Sequence, residues 1–597
     1  MPNYSAPVRE TMFVLNEVLS YDSFASLAGF SEAPPDVLET ILAEGARLAE
    51  DVFLPTNRVG DLEGCVRAED GSVTTPKAFR EAYARYREGG WMGLAQPQEF
   101  GGQGLPYCVH AAVGEYLVAA NMALMMYPGL TLGAISAILL HGTEEQKRTY
   151  LPRMIDGAWT GTMNLTEPHC GTDLGLLRTR ALPRPDGSYA ISGQKIFISA
   201  GEHDLSENIV HLLLARIEGA PAGTKGISLF LVPKFLPGPD GGVGKRNAVS
   251  CGSIEHKMGI HGNATCVLNY DGAIGWLLGE PNAGLKAMFT MMNEARLGVG
   301  VQGLAVSEIA YQNAAAYARE RLQGRALTGP SEPGKPADPI IVHPDVRRNL
   351  MTVKALNEAG RAMLLWTALQ ADLAHRATSD DERLAADDLL GLLTPVVKGV
   401  LTDRGFDNAV MAQQVFGGHG YIEENGMSQF VRDARITMIY EGANGIQALD
   451  LVGRKLALHG GRALQAYFQE VGAFCEAGRN DENMAPYTKA LKKGLNDLQA
   501  ATMWLMQNAM TKPDNAGAAA TDYMHLFGLV TLGYMWGRMV RVAHDRLASG
   551  TGDTAFYEGK VVTGRFFMER IMPETAMRLA RISAGADTLM ALPAEAF

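Results

Sequence analysis

Tyr189-Ala-Ile-Ser-Gly-Gln-Lys-Ile-Phe-Ile198, followed by Asn208-Ile-Val-His-Leu-Leu-Leu-Ala-Arg-Ile217, marks where the 597-residue chain changes character. β-Branched and aromatic residues dominate both stretches. Gly, Pro and Asp separate them from two more of the kind, Gly226 to Phe235 and Thr265 to Tyr270. The gaps are too short to hold crossover helices, so residues 159–282 read as a small antiparallel β-barrel or sandwich.

On either side the apolar period is helical. Upstream, Asp36 to Phe53, Pro76 to Gly89 and Val109 to Leu140 carry apolar residues at three- and four-residue spacing. Thr143 is placed to cap a helix that ends before Pro152. Downstream, Leu285 to Arg321 predicts a helix of ~55 Å, and the Gly- and Pro-rich Leu322 to Ile341 a loop. A second long helix starts at Pro344, a third runs from Glu382 to Phe416 with a bend at Pro395, and a fourth begins near Asn444. Long antiparallel helices of this kind make a four-helix bundle. Beyond Leu458 four more helices are expected, Arg462 to Glu476, Met484 to Met510, Ala518 to Leu547 and Thr554 to Ala584. The apolar Met524 to Trp536 within them reads as a membrane-surface face or a buried packing helix, and the lack of a Lys/Arg cluster favours burial. The chain is thus mainly α with a central β domain: an N-terminal extension (1–35), a helical domain (36–158), the β domain (159–282), the bundle (283–457) and a C-terminal helical extension (458–597).

Several domains also follow from length, since one core rarely serves so long a chain. A 47% hydrophobic and 20% charged composition is that of a soluble globular protein. The net charge of -12 argues against a nucleic-acid or anionic-membrane binder. Six scattered cysteines with no CxxC pair suit free thiols in a reducing compartment rather than disulfides or a zinc site. Arg9, Glu10, Glu17 and Asp22 interrupt any signal-peptide run, and no stretch reads as an uninterrupted membrane span. A cytoplasmic protein with no integral membrane segment is expected.

The chemistry centres on Arg435-Ile-Thr-Met-Ile-Tyr-Glu-Gly-Ala-Asn-Gly-Ile-Gln447. Ile436, Met438, Ile439 and Tyr440 would desolvate the carboxylate of Glu441 and raise its pKa towards that of a general base. Gly442 and Gly445 leave backbone room for a ligand. Taken alone, an inter-helix loop with a water-facing glutamate is the commoner reading of such a pair. Other stretches change that weighting. Met163-Asn-Leu-Thr-Glu-Pro-His-Cys-Gly-Thr-Asp173 opens the β domain, and Lys195-Ile-Phe-Ile-Ser-Ala-Gly201 ends a strand. Tyr317-Ala-Arg-Glu-Arg-Leu-Gln-Gly324 closes the first bundle helix, and Gln413-Gln-Val-Phe-Gly-Gly-His-Gly420 the third.

In this order the motifs resemble those of the acyl-CoA dehydrogenase family, over about residues 36–457, and the C-terminal extension resembles a subgroup that includes 3-methylmercaptopropionyl-CoA dehydrogenases and some bacterial fatty acyl-CoA dehydrogenases. The resemblance implies FAD as cofactor. Met163, Leu165, Thr166, Gly171 and Thr172 would run along the flavin, donors near N1 and O2 favouring its reduction, with Thr172 also near the thioester chain. Phe197, standing where many relatives have tryptophan, would pack on the ring, with Ile198 and Ser199 beside it as further cofactor-binding residues. Arg321, one residue early relative to the family motif, would meet the partner subunit's FAD pyrophosphate. Gln414, Gly417 and Gly418 would approach its adenosine end, and Ala443 and Gly445 replace residues that usually contact FAD. A homodimer with FAD at the interface follows from that pattern.

The resemblance also makes Glu441 the base that removes the α-proton of an acyl-CoA thioester while the β-hydrogen leaves as hydride to flavin N5. Some relatives carry the base near Arg296, where arginine cannot serve. Asn293, Arg296 and Gly442 would contact substrate, the Glu441 N–H would polarise the thioester carbonyl, and electron-transfer flavoprotein is the usual electron acceptor. Fatty acid β-oxidation is the expected setting. An acyl-CoA oxidase and a non-catalytic scaffold on the same fold are the alternatives.

Overall fold

Strand Asn208–Ile217 is buried along nearly its whole length, as a continuous apolar run requires of a strand covered on both faces. The computed structural model describes residues 2–239 and 241–597. They gather into two units, one of Met1–Ala43, Pro106–Glu115 and Val299–Phe597, the other of Glu44–Leu105 and Tyr116–Gly298.

In the second unit, strand Thr265–Leu277 pairs with Tyr189–Ser199, which pairs with Arg180–Pro183, then Asn208–Ile217, then Ser228–Pro233, which returns to Thr265–Leu277. The circuit closes, so the barrel alternative holds. Alternation divides each strand between two cores. Leu213, Ala215, Phe230 and Val232 face one with Ile191, Leu268 and Ala273. Leu212, Leu214, Leu229 and Leu231 face the other with Ile135, Ile138, Leu151 and Trp159. The all-antiparallel expectation is corrected: Trp159–Asn164 and Arg180–Pro183 both run parallel to Asn208–Ile217. Each parallel pair is joined through other strands of the same sheet, so no crossover helix is needed.

The helical part departs from expectation where a polar residue interrupts an apolar run. Val109 to Leu140 is two helices, Tyr107–Ala120 and Met122–His141. Asn121 caps the second by accepting from Leu124 N–H at 3.0 Å, while its amide donates to Thr56 Oγ1 at 2.8 Å. Met122–His141 is also an uncharged 20-residue helix apolar enough to cross a membrane, which corrects the reading that no such stretch exists. It is largely buried in its own unit. Thr143 forms the capping box with Gln146, and the helix runs on through Pro152 to Ile155.

In the other unit, helices Pro344–Arg376 and Asp380–Val415 follow expectation; Gly284–Glu320, which enters that unit at Val299, spans the predicted range. The fourth bundle helix begins at Asn444 as expected, Asn444–Asp450 continuing as a π-helical turn, Leu451–Lys455, and a further helix absent from the sequence reading, Met427–Thr437, precedes it. The Glu441 turn separates the two. Thr554 to Ala584 is two helices, Thr554–Arg570 and Glu574–Ser583, parted at Pro573. Met524 to Trp536 is buried within Asp514–Ser549.

The N-terminal segment belongs structurally with the C-terminal extension. Phe13 packs edge-on to Phe556 at 5.3 Å, Arg546 bonds Glu17 at 2.7 Å, and Arg538 donates to the Val18 carbonyl. Buried Lys560 pairs with Glu10 and, at 2.7 Å, with Glu358 of the bundle. Burial would raise the Glu358 carboxyl, but Lys560 and Lys354 outweigh it and hold it at about 2. Lys560→Met should therefore lower unfolding free energy by about 3–5 kcal/mol near neutral pH. A carboxyl with a depressed folded pKa lends stability above its unfolded value near 4.5 and loses it towards 2. The gap between wild type and Lys560→Met in urea melts should accordingly narrow as pH falls through that window.

Candidate active site

Glu441 (φ 56°) and Gly442 (φ 85°) are consecutive residues in the left-handed region. Glycine takes that conformation freely, whereas a glutamate there stores about 1–2 kcal/mol and persists only where its surroundings hold it. Gln447, buried in the following helix, donates from Nε2 to the carbonyls of Glu441 at 3.3 Å and Gly442 at 3.1 Å. Asn444 N–H closes the turn onto the Met438 carbonyl at 3.1 Å. Tyr440 hydroxyl bonds Gln302 of the Gly284–Glu320 helix, and burial followed by the Glu441 charge pushes its pKa up. Glu441 is half-buried. Of the expected apolar surround, Ile439 is 49% exposed, while Ile436, Met438 and Tyr440 are half-buried. Ala443 is the N-cap of the short helix, and Gly445 is exposed with open space where a Cβ would stand.

The same unit brings the bundle motifs together. Tyr317 stacks on Phe416 with ring centroids 4.2 Å apart and bonds His419 Nδ1 at 3.1 Å. Gln413 Nε2 fixes the Gly420 carbonyl at 2.9 Å. Around this clasp Arg321, Gln414, Gly417 and Gly418 are all exposed. A Cβ at either glycine would meet nothing, so the chain's own packing does not demand their smallness, although Gly417 has φ 57°.

In the barrel unit, Ile196 N–H donates to the Thr166 carbonyl at 2.9 Å, which sets the Thr166 loop beside the end of Tyr189–Ser199. A register shift opposite Val267 puts Phe197 on a bulge at φ 57°, turning its ring outward to 60% exposure. Ile198 is buried, Met163, Leu165, Thr166 and Ser199 are half-buried, and Gly171 and Thr172 are exposed. Beneath them lies a pair that the sequence reading missed. Glu167 bonds Lys195 Nζ at 2.9 Å and accepts from the Thr179 hydroxyl at 2.6 Å and the Arg178 N–H at 2.7 Å. Burial alone would raise the Glu167 carboxyl, but Lys195 and these donors hold it below the usual range. Both residues stand inside quoted motifs, yet only the fold shows that they face each other.

Asn293 is exposed and accepts a long bond from Arg296 at 3.4 Å. Arg296 is 5% exposed and lies 5.9 Å from the Phe289 ring. The sequence reading also missed Lys398, Asn444 and Gln447. For Lys398 a signal existed: it is the single charge in Leu392 to Leu401. The predicted residues thus divide between units, with 163–199 and 293–296 in one and 321, 414–418 and 441–445 in the other.

Four family models match in chain order: the acyl-CoA dehydrogenase N-terminal domain (66–158), middle domain (162–273) and C-terminal domain (282–457), and the acetyl-CoA dehydrogenase C-terminal-like domain (467–593). A 3-methylmercaptopropionyl-CoA dehydrogenase of Ruegeria pomeroyi is 42% identical over 98% of this chain and 99% of its own. The chain belongs to the acyl-CoA dehydrogenase family. Within that oxidoreductase family, a broad-specificity linear acyl-CoA dehydrogenase of Mycobacterium tuberculosis is 38% identical over 96% of each chain. Among solved structures, Bacillus anthracis acyl-CoA dehydrogenase complexed with FAD matches with a TM-score of 0.75 at 21% identity, covering 92% of this chain and 88% of that one. At that identity the likeness speaks for the fold.

Stability should separate the exposed residues from those beneath. Phe197→Ala should shift unfolding by no more than about 0.5 kcal/mol, whereas Lys195→Met, which strands Glu167, should cost about 3–5 kcal/mol. Urea titration followed by tryptophan fluorescence measures both.

Proposed function

We propose that this acyl-CoA dehydrogenase family member is an FAD-dependent enzyme that desaturates an acyl-CoA thioester between its α and β carbons, with Glu441 as the base. The observation that carries the reading is the Glu441 turn: a non-glycine residue held left-handed, backed by glycine and fixed through its carbonyls, where the family motif puts the proton-abstracting carboxylate. FAD, when bound, supplies the acceptor for the β-hydrogen. The residues suit it chemically. An outward aromatic ring at Phe197 offers a stacking face. Arg321 and the side-chain-free Gly417 and Gly418, all exposed, offer a guanidinium and open backbone of the kind a diphosphate needs.

Glu441 then takes the α-proton, and its own backbone N–H is the natural donor to the thioester carbonyl as enolate character develops. The reading includes a homodimer, since Arg321, Gln414, Gly417 and Gly418 would serve the partner's FAD, and electron-transfer flavoprotein as acceptor. A linear fatty acyl-CoA is the substrate class proposed. The 42% identity to a 3-methylmercaptopropionyl-CoA dehydrogenase supports a thioether acyl chain as the second reading.

Glu441→Gln should retain FAD yet stay yellow on anaerobic addition of acyl-CoA; bleaching at the wild-type rate would overturn the assignment. With an artificial acceptor, a panel of linear acyl-CoAs set against a thioether acyl-CoA decides between the substrates by kcat/KM. Arg321→Ala should lower flavin content after gel filtration while leaving the melting temperature of the apoprotein in place.

A further inference from the structure

Lys398 is completely buried on helix Asp380–Val415. Its Nζ donates to the Gly442 carbonyl at 2.9 Å and to Asn444 Oδ1 at 2.7 Å. Asn444 passes the contact on, because its Nδ2 donates to Asp403 Oδ1 at 2.6 Å and to Thr402 Oγ1 at 2.9 Å. With an ammonium on one side and a carboxylate on the other, the amide fits in one orientation only. The second Asp403 oxygen accepts from His525 Nε2 at 2.8 Å. His525 is buried on Asp514–Ser549, a helix of the C-terminal extension. Its Nδ1 is buried without a hydrogen-bond partner among the described residues, so the imidazole's polar link is the one to Asp403.

We propose that His525, Asp403, Asn444 and Lys398 form a buttress through which the C-terminal extension fixes the Glu441–Gly442 turn and aims the Glu441 carboxylate. The inference rests on the reading of Glu441 as the base. All four are positioning residues. Each donor in the series meets an acceptor, imidazole to carboxylate, carboxamide to carboxylate, ammonium to carboxamide and then to the turn carbonyl, so the series is rigid only when complete. It ends on the carbonyl of Gly442, immediately after the one turn residue that resists the left-handed conformation. Without the Lys398 and Gln447 donors, the backbone at Glu441 can relax towards negative φ, which swings its side chain off line. Proton abstraction is sensitive to that displacement, and a misplacement of about 1 Å costs about a hundredfold in rate.

The test uses full-length, FAD-loaded protein and an acyl-CoA that bleaches the wild type, with anaerobic flavin reduction followed by stopped flow. His525→Leu should slow the limiting rate by about ten- to a hundredfold, with the half-saturating acyl-CoA concentration and flavin content unchanged. His525→Gln, whose amide can donate to Asp403, should restore most of the rate. Asp403→Asn keeps the shape of the site and should slow reduction in the same manner, which preserves the test should His525→Leu accumulate unfolded. Wild-type reduction rates in both His525→Leu and Asp403→Asn would overturn the buttress while leaving the base in place. A loss that Gln does not recover, and that tracks a lowered melting temperature, would overturn it too. A wild type that holds FAD but is bleached by no acyl-CoA would overturn the reading of Glu441, and the buttress with it.

Discussion

Arg361 is buried to 1% exposure and bonds both oxygens of Glu115 from Nε at 3.0 Å, while its Nη2 also donates to Glu308 at 3.2 Å. A cation taken so far out of water persists only where its charge is met and its donors are occupied. The three residues come from three parts of the chain within one unit: the isolated piece Pro106–Glu115, the part of helix Gly284–Glu320 from Val299 onward, and helix Pro344–Arg376. Asp372 holds the same piece from its start, accepting from the N–H groups of Tyr107 at 2.6 Å and Cys108 at 2.9 Å. The piece Pro106–Glu115 is therefore fixed at both its ends by buried polar partners.

Elements were legible in the sequence where the signal is local. Thr143 with Gln146, Pro344 at a first helical position and the alternation of Leu212 to Ala215 act within a few residues, and each is realised in the fold. What was not legible depends on a distant partner. Asn121 reads as one polar residue in a long apolar run until Thr56 accepts its amide. The parallel pairing of Trp159–Asn164 is invisible because its partner lies beyond two intervening strands. The break at Glu441 is different: Gly442, Asn444 and Gly445 announce a loop, and what stayed hidden is that Lys398 and Gln447 take the turn's carbonyls.

The site shows the same division. Glycine, threonine and glutamate at fixed spacing within a motif are what made its residues candidates. Lys195 and Glu167, or Lys398 and Asn444, act by pairing across the fold, and neither partner announces the other. Two strained residues, Phe197 at φ 57° and Glu441 at φ 56°, stand in different units with opposite origins. The first follows from an extra residue in a β ladder, the second from donors closing on a turn. In both the strain lets a candidate site side chain leave the direction its element would impose.

The extension is not an appendage to the bundle. Helix Pro344–Arg376 is buried on every face from Ala355 to Gln370, which no amphipathic bundle helix exposed to water on one side can be. The covering is supplied in part by Asp514–Ser549 and Thr554–Arg570, and Trp536 adds a bond from its indole N–H to the Ala355 carbonyl at 3.0 Å. A chain ending at the bundle would bare this apolar surface together with Glu358, whose charge Lys560 meets. Desolvated charge and apolar area would both oppose such a chain, so the bundle sequence here is written for the presence of the extension. That dependence is what allows a residue as remote in sequence as His525 to lie hydrogen-bonded in the network beneath the Glu441 turn.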